Sequence, residues 1–416
     1  MRIIPRRIDV LKIKNSLPWV MIYGRRKTGK TFLVENFLKY DNFYFVNRDG
    51  SILNKKTGEI YFFDEFIAIL REILGSKRIV IDEFHRLSER FLDFLHSQGI
   101  KGELILITST LSLSKKLLEK KQPLLGIVKP VRIDLVDERE ILGEMSKKLR
   151  GKELIESATY LREVILLPYF KGNIKEFLIN YLEGGKIIIK ELIGEIFSEE
   201  EKELTNIYEN VIKCIADRKN TSTEISNILF SKGLISKNNP GILQKYLGLL
   251  TEMGILEKIE VFGKKRKFRY FHKSPLIDLH YYLESKYFYT EVETPKKFIR
   301  KVVDDKIPQH VEQFFRNLFS KIYGMQHKII EGKDFEIDIA LFEFKKLKVV
   351  AEVKWRDFIS KKEIKKIERN LSKFNAEKIL IVPRKKNLEI LPKGIKIMDV
   401  NDILKKLKTN YNGCYS

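Results

Sequence analysis

The chain has 416 residues, 44% of them hydrophobic and 32% charged, more than one hydrophobic core supports, so two or three globular domains are expected. No apolar run reaches the roughly 20 residues that span a bilayer, the start MRIIPRRIDVLKIKN lacks the apolar core and cleavage site of a signal peptide, and Cys214 and Cys414 are the only cysteines; a disulfide framework and a cysteine metal site are excluded, and a cytoplasmic setting with no membrane partner is expected. The 79 Lys and Arg against 56 Asp and Glu leave a formal charge of +23, which favours polyanionic partners through counterion release, although Lys and Glu enrichment is also general in thermophilic chains.

The segment PWVMIYGRRKTGKTFLVENFLKY places an apolar strand before Gly-x-x-x-x-Gly-Lys-Thr and a helix-period run after it, the order a Walker A loop requires. Gly24 and Gly29 let the backbone of Arg25, Arg26, Lys27 and Thr28 turn its amides toward phosphates. Lys30 reaches the β- and γ-phosphates, and Thr31 supplies a hydroxyl to Mg²⁺ at the helix start. ATP and Mg²⁺ are the cofactors this loop predicts. Downstream, KRIVIDEFHRL predicts a buried strand over Ile79 to Ile81 that ends in Asp82 and Glu83. Asp82 is expected to hold Mg²⁺ through water and Glu83 to polarise the attacking water. A third strand, ELILITSTL, ends in Thr108 and Ser109, where a γ-phosphate sensor would sit; hydroxyls at strand ends are also plain turn formers.

In this order and spacing, GRRKTGKT, IVIDEF and LILITS resemble the archaeal ATPase family of the AAA+ class. The resemblance implies a P-loop core over residues 1–136, a small helical lid over 137–203, a winged helix after it and, in many members, a C-terminal domain related to restriction-endonuclease-like nucleases. Members carry a Gly-Arg pair after the third strand, where this chain has Gly126 and Ile127. The sequence is silent on oligomeric state: AAA+ ATPases often borrow an arginine from a neighbour, which would call for a homo-oligomer, but the departure at Ile127 weakens that inference. Arg86, Arg90 and Arg132 are then the arginine-finger candidates, and Arg7 alone echoes the usual arginine-glutamate start.

Residues 204–290 carry a helix in IYENVIKCIAD, a capping box from Thr221 to Glu224 in TSTEISNILFSKG, and a further helix expected from near Asn239, with Pro240 at its start and Gly254 past its end. Two alternating strands follow around a turn crowded with Lys264, Lys265, Arg266, Lys267 and Arg269. Three helices and a basic hairpin make a winged helix-turn-helix. In a DNA-binding reading the helix from Asn239 enters the major groove with Gln244 and Lys245 exposed, while Lys264 to Lys267 hold phosphate. In a packing reading the hairpin is a solvated edge guarded by charge.

Over residues 300–408, IPQHVEQFFRNLFSKIYG is an amphipathic helix with Glu312 at the edge of its apolar stripe. The strand DFEIDIALF puts Glu336 and Asp338 on one face, and KVVAEVKW puts Glu352 and Lys354 on one face of the next, where burial is costly unless compensated. The pattern Glu-x-Lys recurs at Glu119, Glu200, Glu331, Glu343 and Glu363, so the second acidic strand is what sets this one apart. Asp338 and Glu352 can share a hard cation, Mg²⁺ or Mn²⁺, with Glu312 reaching it from the helix and Lys354 orienting or deprotonating the attacking water. Asp followed by Glu-x-Lys on successive strands is the PD-(D/E)xK nuclease constellation; a structural ion pair is the alternative. Ser360 and Glu363 form a further capping box, KILIVP is another buried strand, and His310 and His327 are expected at the surface. The expected class is multidomain α/β: a P-loop AAA+-type parallel sheet with helical lid, a winged helix-turn-helix, and a restriction-endonuclease-like α/β domain. The expected function is an ATP-hydrolysing enzyme that binds and cuts DNA, the alternative a nucleotide-switched DNA-binding or signalling module.

Overall fold

The computed structural model describes residues 3–111, 124–200 and 202–412; Glu119 and Cys414 lie outside them. Two compact units form, one from Met1–Asp137, Lys190–Leu204 and Glu252–Gly254, the other from Glu138–Ile189, Thr205–Thr251 and Ile255–Ser416. No helix among the described residues is long and apolar enough to cross a membrane.

The first unit is built on seven strands: β1 (Trp19–Tyr23), β2 (Asn42–Val46), β3 (Ile52–Asn54), β4 (Ile60–Tyr61), β5 (Arg78–Asp82), β6 (Glu103–Thr108) and β7 (Lys129–Arg132). Their order is β4-β3-β2-β5-β6-β1-β7. From β2 to β7 all neighbours are parallel, with β3 and β4 added antiparallel at one edge. Both faces are covered, so the central strands are apolar throughout rather than alternating. Period two still sorts their side chains: Trp19, Met21, Ile79, Ile81, Leu104 and Leu106 pack toward the helices Phe63–Ile73 and Glu89–Gln98. Val20, Ile22, Val80, Ile105 and Ile107 pack toward the helix Lys30–Phe37 through Leu33 and Val34. Each such side chain contributes about 1.5–3 kcal/mol by leaving water. The carboxyl ends of β1, β5 and β6 share one edge of the sheet, where ligands of open α/β sheets bind.

The second unit begins with the helices Glu138–Met145 and Gly151–Leu161. The helices Asn206–Ala216, Ser222–Ser231 and Gln244–Glu252 then precede a hairpin, β8 (Leu256–Glu260) and β9 (Phe268–His272). The third of these helices starts five residues later than expected. Asn239 Oδ1 accepts the Gly241 N–H at 2.8 Å and Ile242 N–H returns to the Asn239 carbonyl at 3.1 Å, so an Asx turn holds Asn239 to Leu243 in tight turns outside the helix. Beyond the hairpin, Pro275–Tyr287 and Lys296–Tyr323 are helices, the latter running through Pro308. They lead to a sheet of β10 (Gln326–Glu331), β11 (Glu336–Glu343), β12 (Lys346–Val353), β13 (Glu377–Ile381) and β14 (Lys396–Met398). The sheet order is sequential; β10, β11 and β12 are antiparallel, and β12, β13 and β14 parallel. The helix Lys361–Leu371, opened by the Ser360–Glu363 capping box, makes the crossover from β12 to β13.

The basic hairpin is not a free edge. Val261 bridges Ile329, Phe262 N–H donates to the Ile329 carbonyl at 2.8 Å, and the rings of Phe262 and Phe342 lie 4.6 Å apart, so the hairpin tip is joined to β10. Cys214 is buried, and burial pushes its thiol up to about 11, which makes it a packing residue.

Candidate functional site

The loop after β1 has a backbone that few residues other than glycine can follow. A Cβ on Gly24 would stand 2.0 Å from the Ile133 carbonyl oxygen, and Ile133 N–H donates to Tyr23 O at 2.8 Å, so the pairing that extends β7 alongside β1 leaves no room for a side chain. Gly29 takes φ 84° directly before the helix Lys30–Phe37, a left-handed turn that glycine adopts at no steric cost. Lys30 Nζ donates to the carbonyls of Gly24 at 2.9 Å and Arg25 at 3.2 Å, and Thr28 Oγ1 to Arg25 O at 2.8 Å. Arg25 is buried, Lys27 takes φ 63°, and Arg26 Nε donates to Glu195 Oε2 at 2.7 Å.

Thr31 Oγ1 donates to Asp82 Oδ2 at 2.7 Å, which joins the ends of β5 and the loop. Burial pushes the Asp82 carboxyl up to about 6, with Glu83 adding to the rise and the Thr31 hydroxyl and Lys30 opposing it. Glu83 sits at φ 55° and accepts from Ser109 Oγ at 3.0 Å. His85 Nδ1 is 3.3 Å from Glu83 Oε2 and 3.1 Å from Thr108 Oγ1; burial lowers its affinity for a proton while Glu83 opposes that shift. Thus Lys30, Thr31, Asp82, Glu83 and Ser109 gather at one sheet edge, with the Ser109 hydroxyl on the Glu83 carboxylate.

Arginines divide differently from expectation. Arg7 is exposed, whereas Arg6 is buried; its Nη1 donates to Thr28 O at 2.5 Å, its Nη2 to Asp134 O at 2.7 Å and its Nε to Asp9 Oδ2 at 2.9 Å. It thereby braces the phosphate loop from behind. Sequence reasoning missed it because adjacent arginines are indistinguishable until the backbone direction is known. Arg86 Nη1 donates to Val46 O at 2.8 Å, Arg90 Nη2 pairs with Asp64 at 2.9 Å and Arg132 Nε with Asp134 at 3.0 Å, so each finger candidate is engaged within its own unit. Ile127 packs against the core.

A second constellation lies in the second unit. The pairing Ile339↔Ala351 carries Asp338 to the row of Glu352 on the neighbouring strand, and Val353 N–H donates to Asp338 Oδ2 at 2.8 Å. Lys354 Nζ stands 2.6 Å from Glu352 Oε2 and 3.4 Å from Asp338 Oδ2. From the helix Lys296–Tyr323, Arg316 Nη2 donates to Glu312 Oε1 at 2.7 Å and Arg316 Nε to Asp338 O at 3.3 Å. Burial pushes Glu312 up to about 8, with the Asp338 charge adding to it and Arg316 and Lys354 opposing. Glu352 rises to about 7 for the same two reasons, against Lys354. Burial opposes the Lys354 charge, but Asp338 and Glu352 hold its ammonium above its usual range. Glu352 Oε1 has no hydrogen-bond partner among the described residues. No group of three or more His, Cys, Asp or Glu side chains among those residues is disposed to hold a metal; the carboxylates surround the Lys354 ammonium.

The expected nucleic-acid contacts are split. Gln244 and Lys245 are exposed at the start of their helix, the latter with Nζ 4.8 Å from the Tyr246 ring. Lys264 and Lys267 donate to Glu331 Oε1 at 2.7 and 2.5 Å, and Arg269 also pairs with Glu331. Burial raises the Glu331 carboxyl, yet the hydrogen bonds from these three cations pull it down to about 2. Lys265 and Arg266 are exposed.

His310, expected at the surface, is buried. Its Nδ1 is 2.7 Å from Tyr160 Oη and its Nε2 2.9 Å from Asp278 Oδ2, and burial is the main reason its affinity for a proton falls. Asp278 also binds Lys306 Nζ at 2.8 Å and His272 Nδ1 at 2.7 Å. Burial works against the Asp278 charge, but Lys306 and the two histidines hold its carboxyl well below the usual range. His327 is half-buried, and burial, with Arg316 nearby, keeps it well below its usual value. Asp278 within the apolar run PLIDLHYYL was the available sign of this network: a charge there needs buried partners.

Residues 16–142 match the family model described as AAA domain. This part of the chain is an AAA-type P-loop ATPase domain. Over 404 residues the chain is 24% identical to an uncharacterized protein of Methanocaldococcus jannaschii, MJECL04, spanning 86% of this chain and 87% of the relative. Among solved structures it is similar to the Walker-type ATPase PABY2304 of Pyrococcus abyssi, with 16% identity, a TM-score of 0.45, and coverage of 67% of this chain and 96% of that one. It is also similar to the ORC2 protein of Aeropyrum pernix in its ADPNP-ADP complexes, with 15% identity, a TM-score of 0.36, and coverage of 73% and 92%. Likenesses of that degree carry no argument about function.

The AAA-type domain suits its nucleotide by donor chemistry. Thr31 and Asp82 offer hard oxygens 2.7 Å apart, and the neighbouring Asp82 and Glu83 carboxylates are the hard, anionic donors that suit a divalent cation. The second constellation also has hard carboxylate oxygens, with Glu352 Oε1 buried and unpartnered among the described residues; their donor type suits the same class of cation, but as placed Asp338 and Glu352 pair with Lys354 and Glu312 with Arg316 rather than gathering around one site.

Proposed function

We propose that the chain hydrolyses ATP at the AAA-type site and uses its second unit to bind DNA and cut the DNA backbone with a divalent metal, in the cytoplasm. In this reading residues 1–136 are the ATPase core, 137–203 the lid, 204–290 a winged helix-turn-helix and 300–408 a restriction-endonuclease-like domain. Lys30 and the loop amides bind the β- and γ-phosphates. Thr31 and Asp82 would hold Mg²⁺, Glu83 orients the attacking water, and Ser109 positions Glu83. At the second site Asp338 and Glu352, with Glu312, would hold Mg²⁺ or Mn²⁺, which polarises the scissile phosphate when bound. Lys354 orients the attacking water and offsets charge on the phosphate, while Arg316 fixes the Glu312 carboxylate.

The observation that carries this reading is the juxtaposition of Asp338, Glu352 and Lys354 on adjacent strands, with one Glu352 oxygen left for a ligand. The test is cleavage of single-stranded, duplex and branched DNA with Mg²⁺ or Mn²⁺, with and without ATP, by the wild type, Glu352→Ala and Lys30→Ala. Metal-dependent cutting that Glu352→Ala abolishes supports the reading. A second reading, a nucleotide-switched DNA-binding or signalling module, is favoured by the Lys354 ammonium already bonded between the two carboxylates. DNA binding and ATP hydrolysis without cutting of any substrate would select it.

A further inference from the structure

Two cavities lie side by side in the second unit. The larger, about 810 Å³, is walled by the Thr221–Glu224 turn, the hairpin and the turn between β10 and β11. The smaller, about 320 Å³, reaches Glu312 and Asp338. Arg218, Asn220, Arg269 and Glu336 line both, so the two form one groove that ends at the acidic constellation.

The cations on the larger cavity are of two kinds. Lys267 is paired with Glu331, and Arg269 with both Glu331 and Glu336. Arg218, Arg266 and Lys333 are exposed, and none of them has an ion-pair partner among the described residues. Below this rim lie the half-buried rings of Phe268 and Phe335. Lys258 Nζ lies 3.9 Å from the Phe268 centroid and Lys373 Nζ 3.8 Å from that of Phe335, which adds positive charge beside the floor. Free cations around aromatic rings in a concave site suit a strand whose bases are unstacked and turned outward. A duplex keeps its bases inside its own stack and presents only phosphates to such a floor.

We propose that this groove binds a single-stranded nucleic-acid segment, with phosphates on Arg218, Arg266 and Lys333 and bases against Phe268 and Phe335, and leads it toward Glu312 and Asp338. The delivery step rests on the cleavage reading above; the binding step does not.

The test titrates the full chain, in EDTA so that no metal-dependent cutting intervenes, with a short fluorescent DNA single strand and with the matching duplex at several salt concentrations. The single strand is expected to bind about ten-fold tighter than the duplex. Arg218→Ala/Lys333→Ala is expected to weaken single-strand binding about ten-fold and to flatten the plot of log affinity against log salt by about 1.4, since each lost phosphate contact on a single strand removes about 0.7. The charge-matched control Lys362→Ala/Lys386→Ala, on exposed lysines outside both cavities, should bind as the wild type does. Equal affinity and slope in the two double variants, or a duplex bound as tightly as the single strand, would overturn the proposal. Failure of the cleavage reading alone would appear as intact binding in EDTA with no cutting when Mg²⁺ or Mn²⁺ is added.

Discussion

Lys354 Nζ lies 2.6 Å from Glu352 Oε2 and 3.4 Å from Asp338 Oδ2, on a side chain that is 24% accessible. The ammonium therefore offsets two carboxylates that burial and mutual repulsion would otherwise disfavour. Removing one partner of a buried pair strands the other charges. Lys354→Ala is expected to lower stability by about 1–3 kcal/mol at neutral pH, reduced from the fully buried case by the partial exposure. Urea unfolding in EDTA measures it; an unchanged midpoint would mean that water already screens the carboxylates.

Glu331 ties down three cations of the hairpin, and its carboxyl falls from 4.5 to about 2 on folding. A depressed carboxylate stabilises the fold above its unfolded value, and that stability is lost as pH falls through the folded one. Wild-type stability should thus decline between about pH 4.5 and 2, and Glu331→Gln should remove this contribution to the decline. At neutral pH the same variant frees Lys264 and Lys267, while Arg269 keeps its pair with Glu336 at 2.9 Å, so nucleic-acid affinity should rise several-fold with a steeper salt dependence. Weaker binding by Glu331→Gln would show that the hairpin must be held on β10 to bind at all.

The Arg6 guanidinium reaches Thr28 O and Asp134 O from behind the phosphate loop. Arg6→Ala leaves these carbonyls without their charged donor and Asp9 with Lys12 alone, at 3.3 Å, a loss of about 1–3 kcal/mol. The KM for ATP should rise about two- to ten-fold if about half of that falls on the loop, whereas Arg7→Ala, at an exposed position, should change it little. Steady-state ATPase assays on the two variants decide between them, with thermal unfolding as the check that Arg6→Ala still folds.

Asp278 is buried against Lys306, His272 and His310. Asp278→Ala leaves Lys306 buried without its counter-charge and should cost about 3–5 kcal/mol. Its folded-state carboxyl is depressed, so the stability that Asp278 contributes is present at neutral pH and is lost as pH falls below its unfolded value near 3.8. Denaturant midpoints of wild type and variant should converge toward that acid limit.

These residues also mark what a linear reading can reach. The loop from Gly24 to Thr31, the Asp82–Glu83 strand end and the Asp338, Glu352 and Lys354 strands were legible because their chemistry is written at short, fixed spacing on elements with strong apolar periods. The helix start at Gln244 was misplaced because the Asn239 side chain captures the Gly241 amide, a local competitor that mimics a helix signal. Glu331 lies 64 and 67 residues from its lysine partners, and His310 lies 150 from Tyr160. Neither pairing has a sequence signature, since only the tertiary fold brings such partners together. The hairpin thus looked like an open cationic wing, and His310 like a surface residue.

The most direct measurement is DNA cleavage by the wild type and Glu352→Ala with Mg²⁺ or Mn²⁺, run with and without ATP beside Lys30→Ala. The account predicts metal-dependent cutting by the wild type, none by Glu352→Ala, and an altered ATP response in Lys30→Ala. Absence of cutting on single-stranded, duplex and branched DNA, with DNA binding and ATP hydrolysis intact, would contradict it and leave Glu352 as the structural partner of Lys354.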